Sequence, residues 1–437
     1  MAPSRHSGLR GRLAVIHVLF AALRALLPAL LPVLLLAPSL VPPVVLGADG
    51  ASGTGWTKPR RVTAQPGSRL DSLHQLAASG EALLLLHSRI GPRQRDDRVV
   101  LQRSKDAGKR WSPERTLFAA TKRHRHVVSN LAIAARRRTV VVAWRVRGPD
   151  GTTLFARTST DGGTRFGRRV ELASTAHAAG LGVPAAAVGK DFVSVAWTER
   201  DRGRVKVRTS RDGGRTYRSA DTLGRSRLSI ECRSRVLDGL VGMTASGSRL
   251  HVAWSKVRDG GCLADSIDIR TSPDRGGRWS ATRTITRRRS YGWPELDARG
   301  RTVLATVQLP SGGLLVARSA RDGRRWHSQV LEPRKGRYLG SGDVVLLPRG
   351  RAAVTFVEAL PGSGPLESTT LQVRFSRDDG RRFLTVEPVL RGAKQLRQAP
   401  NIAVVGGRTA IVYQSGALDG SPRDLYITRV RHSTRLR

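Results

Sequence analysis

The sequence predicts an all-β fold assembled from repeats of one four-stranded sheet. Three observations carry the prediction. An eight-residue pattern, S-x-D-x-G-x-x-aromatic, occurs in full five times and in altered form once between residues 104 and 383. A second, hydrophobic stretch of small and β-branched residues recurs in step with it, as at 139–144 (TVVVAW), 192–197 (FVSVAW) and 250–254 (LHVAW). The residues before each pattern alternate in the manner of a half-buried strand, as in Val205-Lys206-Val207-Arg208-Thr209. Self-similarity of this kind sets the architecture before any single element does.

The full copies are 104–111 (SKDAGKRW), 159–166 (STDGGTRF), 210–217 (SRDGGRTY), 272–279 (SPDRGGRW) and 376–383 (SRDDGRRF). In the altered copy, 319–326 (SARDGRRW), Arg321 stands in the aspartate slot and Asp322 falls one place late. Each copy reads as a tight hairpin. The carboxylate of Asp106, Asp161, Asp212, Asp274 or Asp378 accepts backbone N–H groups within the turn, and the serine hydroxyl does the same more weakly. Glycine supplies a backbone conformation that a β-carbon forbids. The closing aromatic anchors the next strand. The loops lack the alternating carboxylates and distal glutamate of a calcium loop, so no metal and no cofactor is expected.

These loops resemble the Asp-box, or BNR, repeats of sialidase-type β-propellers, and the resemblance covers nearly all of the chain after residue 55. It implies a propeller whose Asp boxes are structural and lie away from the binding face. Further second strands fall at 82–87, 303–307, 353–357 and 410–413, which makes seven against six boxes. Ring closure explains the difference. The stretch 425–430 is a third strand with no fourth after it. The stretch 56–62 mimics the fourth strand that starts at Trp111. Pairing the two completes a seventh blade and hides both edges. The expected fold is therefore a seven-bladed β-propeller with Asp-box hairpins, closed by its N- and C-terminal strands. The sialidases of this superfamily have six blades, so a seventh is a departure from their pattern.

The expected organisation is a signal peptide over 1–48, a short linker over 49–55 and the propeller over 56–437. Arg5, Arg10 and Arg12 precede an apolar run that ends at Leu46-Gly47-Ala48, a passable cleavage site. Arg24 and five prolines interrupt the run, which favours cleavage and secretion over the alternative of an uncleaved membrane anchor. No stable membrane span is then expected after signal removal. Cys232 and Cys262 fall in two loops of the fourth repeat that emerge on one face, and an even count in an exported chain suggests a disulfide.

The net charge is +43, from 76 Lys and Arg against 33 Asp and Glu. A surface charged for solubility alone needs far less. The excess predicts attraction to anionic glycans or cell-surface polymers, and to nucleic acid non-specifically. Arginine-rich coding would produce the same composition without a biological purpose. Oligomeric state is not legible.

For the face opposite the boxes, the candidate ligand residues are Arg235, Tyr291, Trp293, Arg337 and Tyr338. Trp293 is the one tryptophan outside the repeat, since Trp56, Trp111, Trp279 and Trp326 open fourth strands and Trp144, Trp197 and Trp254 end second strands. The resemblance implies a catalytic set of an arginine triad, a tyrosine nucleophile with a glutamate partner, and an aspartic acid. The nearest candidates are Tyr338 or Tyr291 with Glu231, and Asp238 or Asp71 as the acid. The arginine motif that opens such enzymes is not matched, because Arg89-Ile90-Gly91-Pro92 carries an inserted glycine and lies after a second strand. The expected function is a secreted propeller that binds glycans or other anionic surface polymers without turnover. The alternatives are an exo-α-sialidase or related glycoside hydrolase with a diverged site, and an extracellular protein-interaction platform.

Overall fold

A computed structural model describes residues 55–63, 74–89, 97–120, 127–148, 150–177, 180–226, 241–257, 263–360, 369–384, 387–390, 395–417 and 424–430, with backbone alone at 127–129, 341 and 395–398. The described elements are all β-strands, gathered into seven four-stranded antiparallel sheets. Six sheets are simple meanders. The seventh orders Arg60–Arg61 beside Asp424–Arg429, then Arg408–Ala417, then Gln395–Val405. The inner strands are His74–Ser79, Val127–Arg136, Ala185–Gly189, Val241–Ser246, Glu295–Arg299, Tyr338–Leu347 and Gln395–Val405. They touch one another in that order and the last meets the first, so the sheets are the blades of a closed seven-bladed ring.

The expected closure is present, although its strand is shorter than 56–62. Only Arg60 and Arg61 are in ladder, opposite Ile427 and Tyr426, with an isolated bridge from Trp56 to Val430. Pro59 lies between them and has no N–H to donate. Side chains fill the gap. Arg429 donates its N–H to the Thr57 hydroxyl at 3.1 Å, and the Thr428 hydroxyl donates to the Thr57 carbonyl at 2.9 Å. Arg61 pairs with Asp424 at 2.9 Å.

The Asp boxes have the geometry their residues predict. In all five full copies the serine hydroxyl donates to the aspartate, at 2.7–2.9 Å, and accepts the glycine N–H, at 2.7–2.9 Å. The aspartate accepts the N–H of the residue before the aromatic, at 2.8–3.0 Å. The Arg278 backbone N–H, the Ser272 hydroxyl and the Arg278 guanidinium together hold Asp274 at a pKa of about 2. The box glycine is required twice over. Gly214 has a left-handed φ of +82°, and a β-carbon there would lie 1.9 Å from the Thr158 hydroxyl of the preceding blade.

The aromatics explain the packing. Each packs into the cluster between its own blade and the one before: Trp111 with Leu83 and Ile427, Phe166 with Leu84 and Val142, Tyr217 with Val195 and Leu154, Trp279 with Val207 and Val252. Trp326 and Phe383 repeat the arrangement. They stand ahead of the fourth strands rather than opening them, since those strands begin at Arg115, Arg283 and His327 in the three tryptophan-bearing copies. The extended link leaves the aromatic free to turn into the interface. Trp56 occupies the same place between blades six and seven, against Val373, Val389, Ile402 and Tyr413. The seventh blade thus has its aromatic without a box.

Candidate functional site

An antiparallel meander sends the Asp boxes and the first-to-second turns to one face, and the second-to-third and fourth-to-first connections to the other. The inner strands therefore enter the ring from the face opposite the boxes. Glu231, Arg235, Asp238, Asp71, Cys232 and Cys262 lie outside the described residues. The rest of the expected set divides between two places. Tyr291 is exposed, with its N–H bonded to Gln308 O, and Trp293 follows in a left-handed conformation at φ 63° beside Gly292 at φ 76°. That turn brings the indole onto the carboxyl of Glu295, to which it hydrogen-bonds. Tyr338 instead opens the inner strand of blade six against Ala359 and Gly312. Arg337 lines a separate cavity of about 350 Å³ with Arg334, Glu358, Gln372 and Arg374. There Glu358 is bound by Arg334 and by the Gln372 amide at 2.8 Å. Arg89 is also committed elsewhere, paired with Glu114.

Sequence reasoning missed the carboxyl groups of the channel. Counting ladder pairs from each inner hairpin turn, the fifth position is Gln75, Ala132, Ala185, Gly242, Glu295, Asp343 and Asn401 in blades one to seven. One side of the channel at that height carries carboxyl and amide groups. The other carries residues with almost no side chain. Asp343 accepts the Ile402 N–H of the next blade at 2.9 Å, and Asp297, one turn of the pleat below Glu295, accepts Leu346 N–H at 2.6 Å. Inner strands are sheet edges, so these carboxyls pair donors that no strand can reach.

The same surroundings shift their acidity. Protein encloses these groups on most sides, although each keeps some access to the channel. Burial raises the pKa of Asp297 to about 6 against the lowering effect of its two backbone donors. Burial and then repulsion by Asp343 raise Glu295, and burial with repulsion by Asp297 raises Asp343. The pair titrates as a unit and keeps a proton well above the ordinary carboxylate range. Among the described residues no group of three His, Cys, Asp or Glu side chains is arranged to hold a metal ion.

Arginines gather instead on the outer rim. Between blades one and two, Arg157 is fixed by donating to Gly167 O at 2.8 Å and Leu117 O at 3.0 Å. Arg169 lies 4.4 Å from the Phe155 ring centre and 5.6 Å from that of Phe118, and Arg115 lies 5.8 Å from that of Phe166. Burial, then the charges of Arg115 and Arg169, lower the pKa of Arg157. The groove beside them is lined by Arg157, Arg168 and Arg169 with Leu117 and Phe118.

Among solved structures, the ring is similar to a phage phi92 endosialidase, with a TM-score of 0.51 and 10% identity over 86% of this chain and 69% of that one. It is similar to Trypanosoma rangeli sialidase bound to the inhibitor DANA, with a TM-score of 0.52 and 11% identity over 88% of this chain and 61% of that one. A Dyadobacter fermentans protein of unknown function matches with a TM-score of 0.52 and 12% identity, over 86% of this chain and 100% of that one. The chain spans less than two thirds of the trypanosomal enzyme. No protein-family model and no curated protein matches the sequence. At such identities the likeness is one of fold.

Proposed function

We propose that this chain, which has the propeller fold of the sialidase superfamily, is an exported protein that binds glycans or other anionic surface polymers and does not turn them over. The observation that carries the reading is the rim trio Arg115, Arg157 and Arg169. Its guanidiniums are held in place by carbonyls and aromatic faces while repelling one another. A polyanion laid along this groove relieves the repulsion and meets pre-positioned forks that suit carboxylate and sulfate oxygens. The channel is the opposite case, since its described lining places carboxyl groups where a carboxylate-bearing sugar needs cations.

Titration calorimetry with heparin and with polygalacturonate tests this. Affinity should fall steeply between 50 and 400 mM salt, because the attraction is screened within about 8 Å at physiological ionic strength. The triple variant R115Q/R157Q/R169Q should lose at least tenfold at 150 mM. Binding unaffected by salt or by that variant would refute the reading.

One observation favours the hydrolase alternative. The Glu295–Asp343 pair keeps a proton near neutrality, beside Trp293 and across from the open side of the channel formed by Ala132, Ala185 and Gly242. Release of sialic acid from a fluorogenic substrate, abolished by Glu295→Gln or Tyr338→Phe, would install that alternative.

A further inference from the structure

The altered box of blade five lacks the carboxylate that stands at this place in the five full boxes. In the five full boxes the serine hydroxyl and the N–H of the penultimate residue converge on the aspartate oxygen. In blade five the loop keeps its shape. Ser319 still accepts the Gly323 N–H at 3.0 Å, and Arg324 N–H still bonds to Arg321 O at 3.0 Å, as Lys109 does to Asp106 O at 3.3 Å. The carboxylate is gone, because residue 321 is arginine. Asp322 does not replace it. It is held instead by Arg249 of blade four at 3.0 Å and by Arg301, in the inner turn of its own blade, at 3.1 Å. Neither the Ser319 hydroxyl nor the Arg325 N–H has an acceptor among the described residues; Ser319 is closed off from solvent, whereas Arg325 is exposed.

Around this slot is a cavity of about 510 Å³ lined by Arg318, Arg321, Arg325, His327, Gln329 and Arg381, and by no carboxylate. Its counterpart between blades one and two has about 660 Å³ and is lined by Arg103, Lys105, Arg110 and Arg115, but there Asp106 supplies the negative charge. Arg318 is fixed by donating to Asp379 O at 2.8 Å, with the Asp379 carboxylate 4.0 Å away outside the lining, so its guanidinium is in place before any ligand arrives.

We propose that the blade-five cavity is a binding site for a carboxylate group of an acidic polysaccharide, which supplies the negative charge that Asp106 supplies in the counterpart cavity. The class follows from the slot. Five sister loops of the same backbone show that a carboxylate accepts the N–H equivalent to that of Arg325, and the surrounding arginines offer it paired N–H contacts. Nucleic acid is disfavoured because the aromatic ring in the lining is that of His327 alone, with no Phe, Tyr or Trp face for a base. Trp326 turns into the blade four–five interface and donates its indole N–H to Gly323 O at 3.1 Å. This site rests on the anionic-polymer reading above.

The test uses the full chain, with oligogalacturonate as the carboxylate probe and oligo(dT) as the competitor. Arg321→Asp refills the slot with the chain's own carboxylate and restores the sequence of the other boxes. Lys190→Asp, an exposed change in the inner turn of blade three, matches its charge. At 150 mM salt, R321D should weaken oligogalacturonate binding at least tenfold and K190D less than threefold, with R321D melting no lower than the parent. Equal losses in the two variants would overturn the site while leaving the polymer reading standing. Oligo(dT) binding more tightly than oligogalacturonate, and equally sensitive to R321D, would assign the cavity to nucleic acid and overturn the proposal. No binding by the parent protein at 50 mM salt would sink both.

Discussion

Replacing Trp56 by alanine tests the closure of the ring. The residue is 2% exposed and fills the interface between blades six and seven, touching the clusters of both. An indole of this kind buries about 150–250 Å², which at about 25 cal/mol per Å² amounts to about 4–6 kcal/mol. Measured replacements of buried aromatics by alanine cost about 3–5 kcal/mol, because the site collapses in part. The expected loss for Trp56→Ala is therefore about 3–5 kcal/mol, read from urea unfolding followed by circular dichroism. Trp279→Ala, half-buried within an internal interface, should cost less. The closure predicts a second, local signature. Two ladder residues, one bridge, the Thr57 contacts, the Arg61–Asp424 pair and bonds from Val62 and Thr63 to Leu425 and Asp424 join the terminal strands. Loss of the Trp56 anchor should therefore raise amide exchange at Leu425, Ile427 and Arg429 ahead of the other blades. A loss below about 1 kcal/mol, within the range of ordinary surface changes, with exchange unchanged, would show that the ring does not depend on this contact.

The channel carboxyls carry a pH signature. Their folded pKa values are raised, so their contribution is fully present below about pH 4 and is lost as pH rises, for Asp297 up to about 6. Glu295→Gln should melt like the parent near pH 4 and pull ahead as pH rises to 8, and a constant difference across that range would refute the assignment. The box aspartates run the other way: Asp274, held at about 2, stabilises above its ordinary value and loses that contribution as pH falls toward 2, so Asp274→Asn should cost stability at pH 7 and little at pH 2. A Cys232–Cys262 disulfide would close a 30-residue loop and contribute roughly 2–4 kcal/mol; two free thiols in the denatured, non-reduced protein would exclude it. Exported protein should have an intact mass corresponding to a start near Asp49, and a full-length membrane-extracted product would favour the anchor instead.

The fold was legible because its determinants are local and repeated. Serine, aspartate and glycine at fixed offsets specify a turn by hydrogen bonds made within that turn, and the box bonds are almost the same length in all five full copies. Strand boundaries were less legible. The fourth strands start after the aromatic because the indole must point into the preceding blade, and that demand comes from a neighbour about fifty residues away in sequence. Pro59 was visible, but its effect on the closing strand depends on which groups of 425–430 face it.

The channel carboxyls were hidden for a different reason. Glu295, Asp343 and Asn401 share a height only once each inner strand is counted from its own hairpin turn, and that turn has two residues in blades five and seven but three in blade six. A bulge between Gly340 and Asp343, and another between Gln398 and Asn401, shift the count again on the entry side. Linear spacing therefore scatters three residues that the ladder aligns. Charge also misleads in a chain of this composition. Lone acids among so many arginines read as ion-pair partners, yet Asp297 and Asp343 each spend an oxygen on an edge amide of the next blade. An inner-strand acid two or four residues above its hairpin turn, in a ring whose inner edges face a channel, is better read first as a cap for those edges. Glu295 is the member of the set whose partner is a side chain, Trp293, rather than a neighbouring backbone. That difference makes Glu295, and not the aspartates, the residue whose replacement separates a structural channel from a catalytic one.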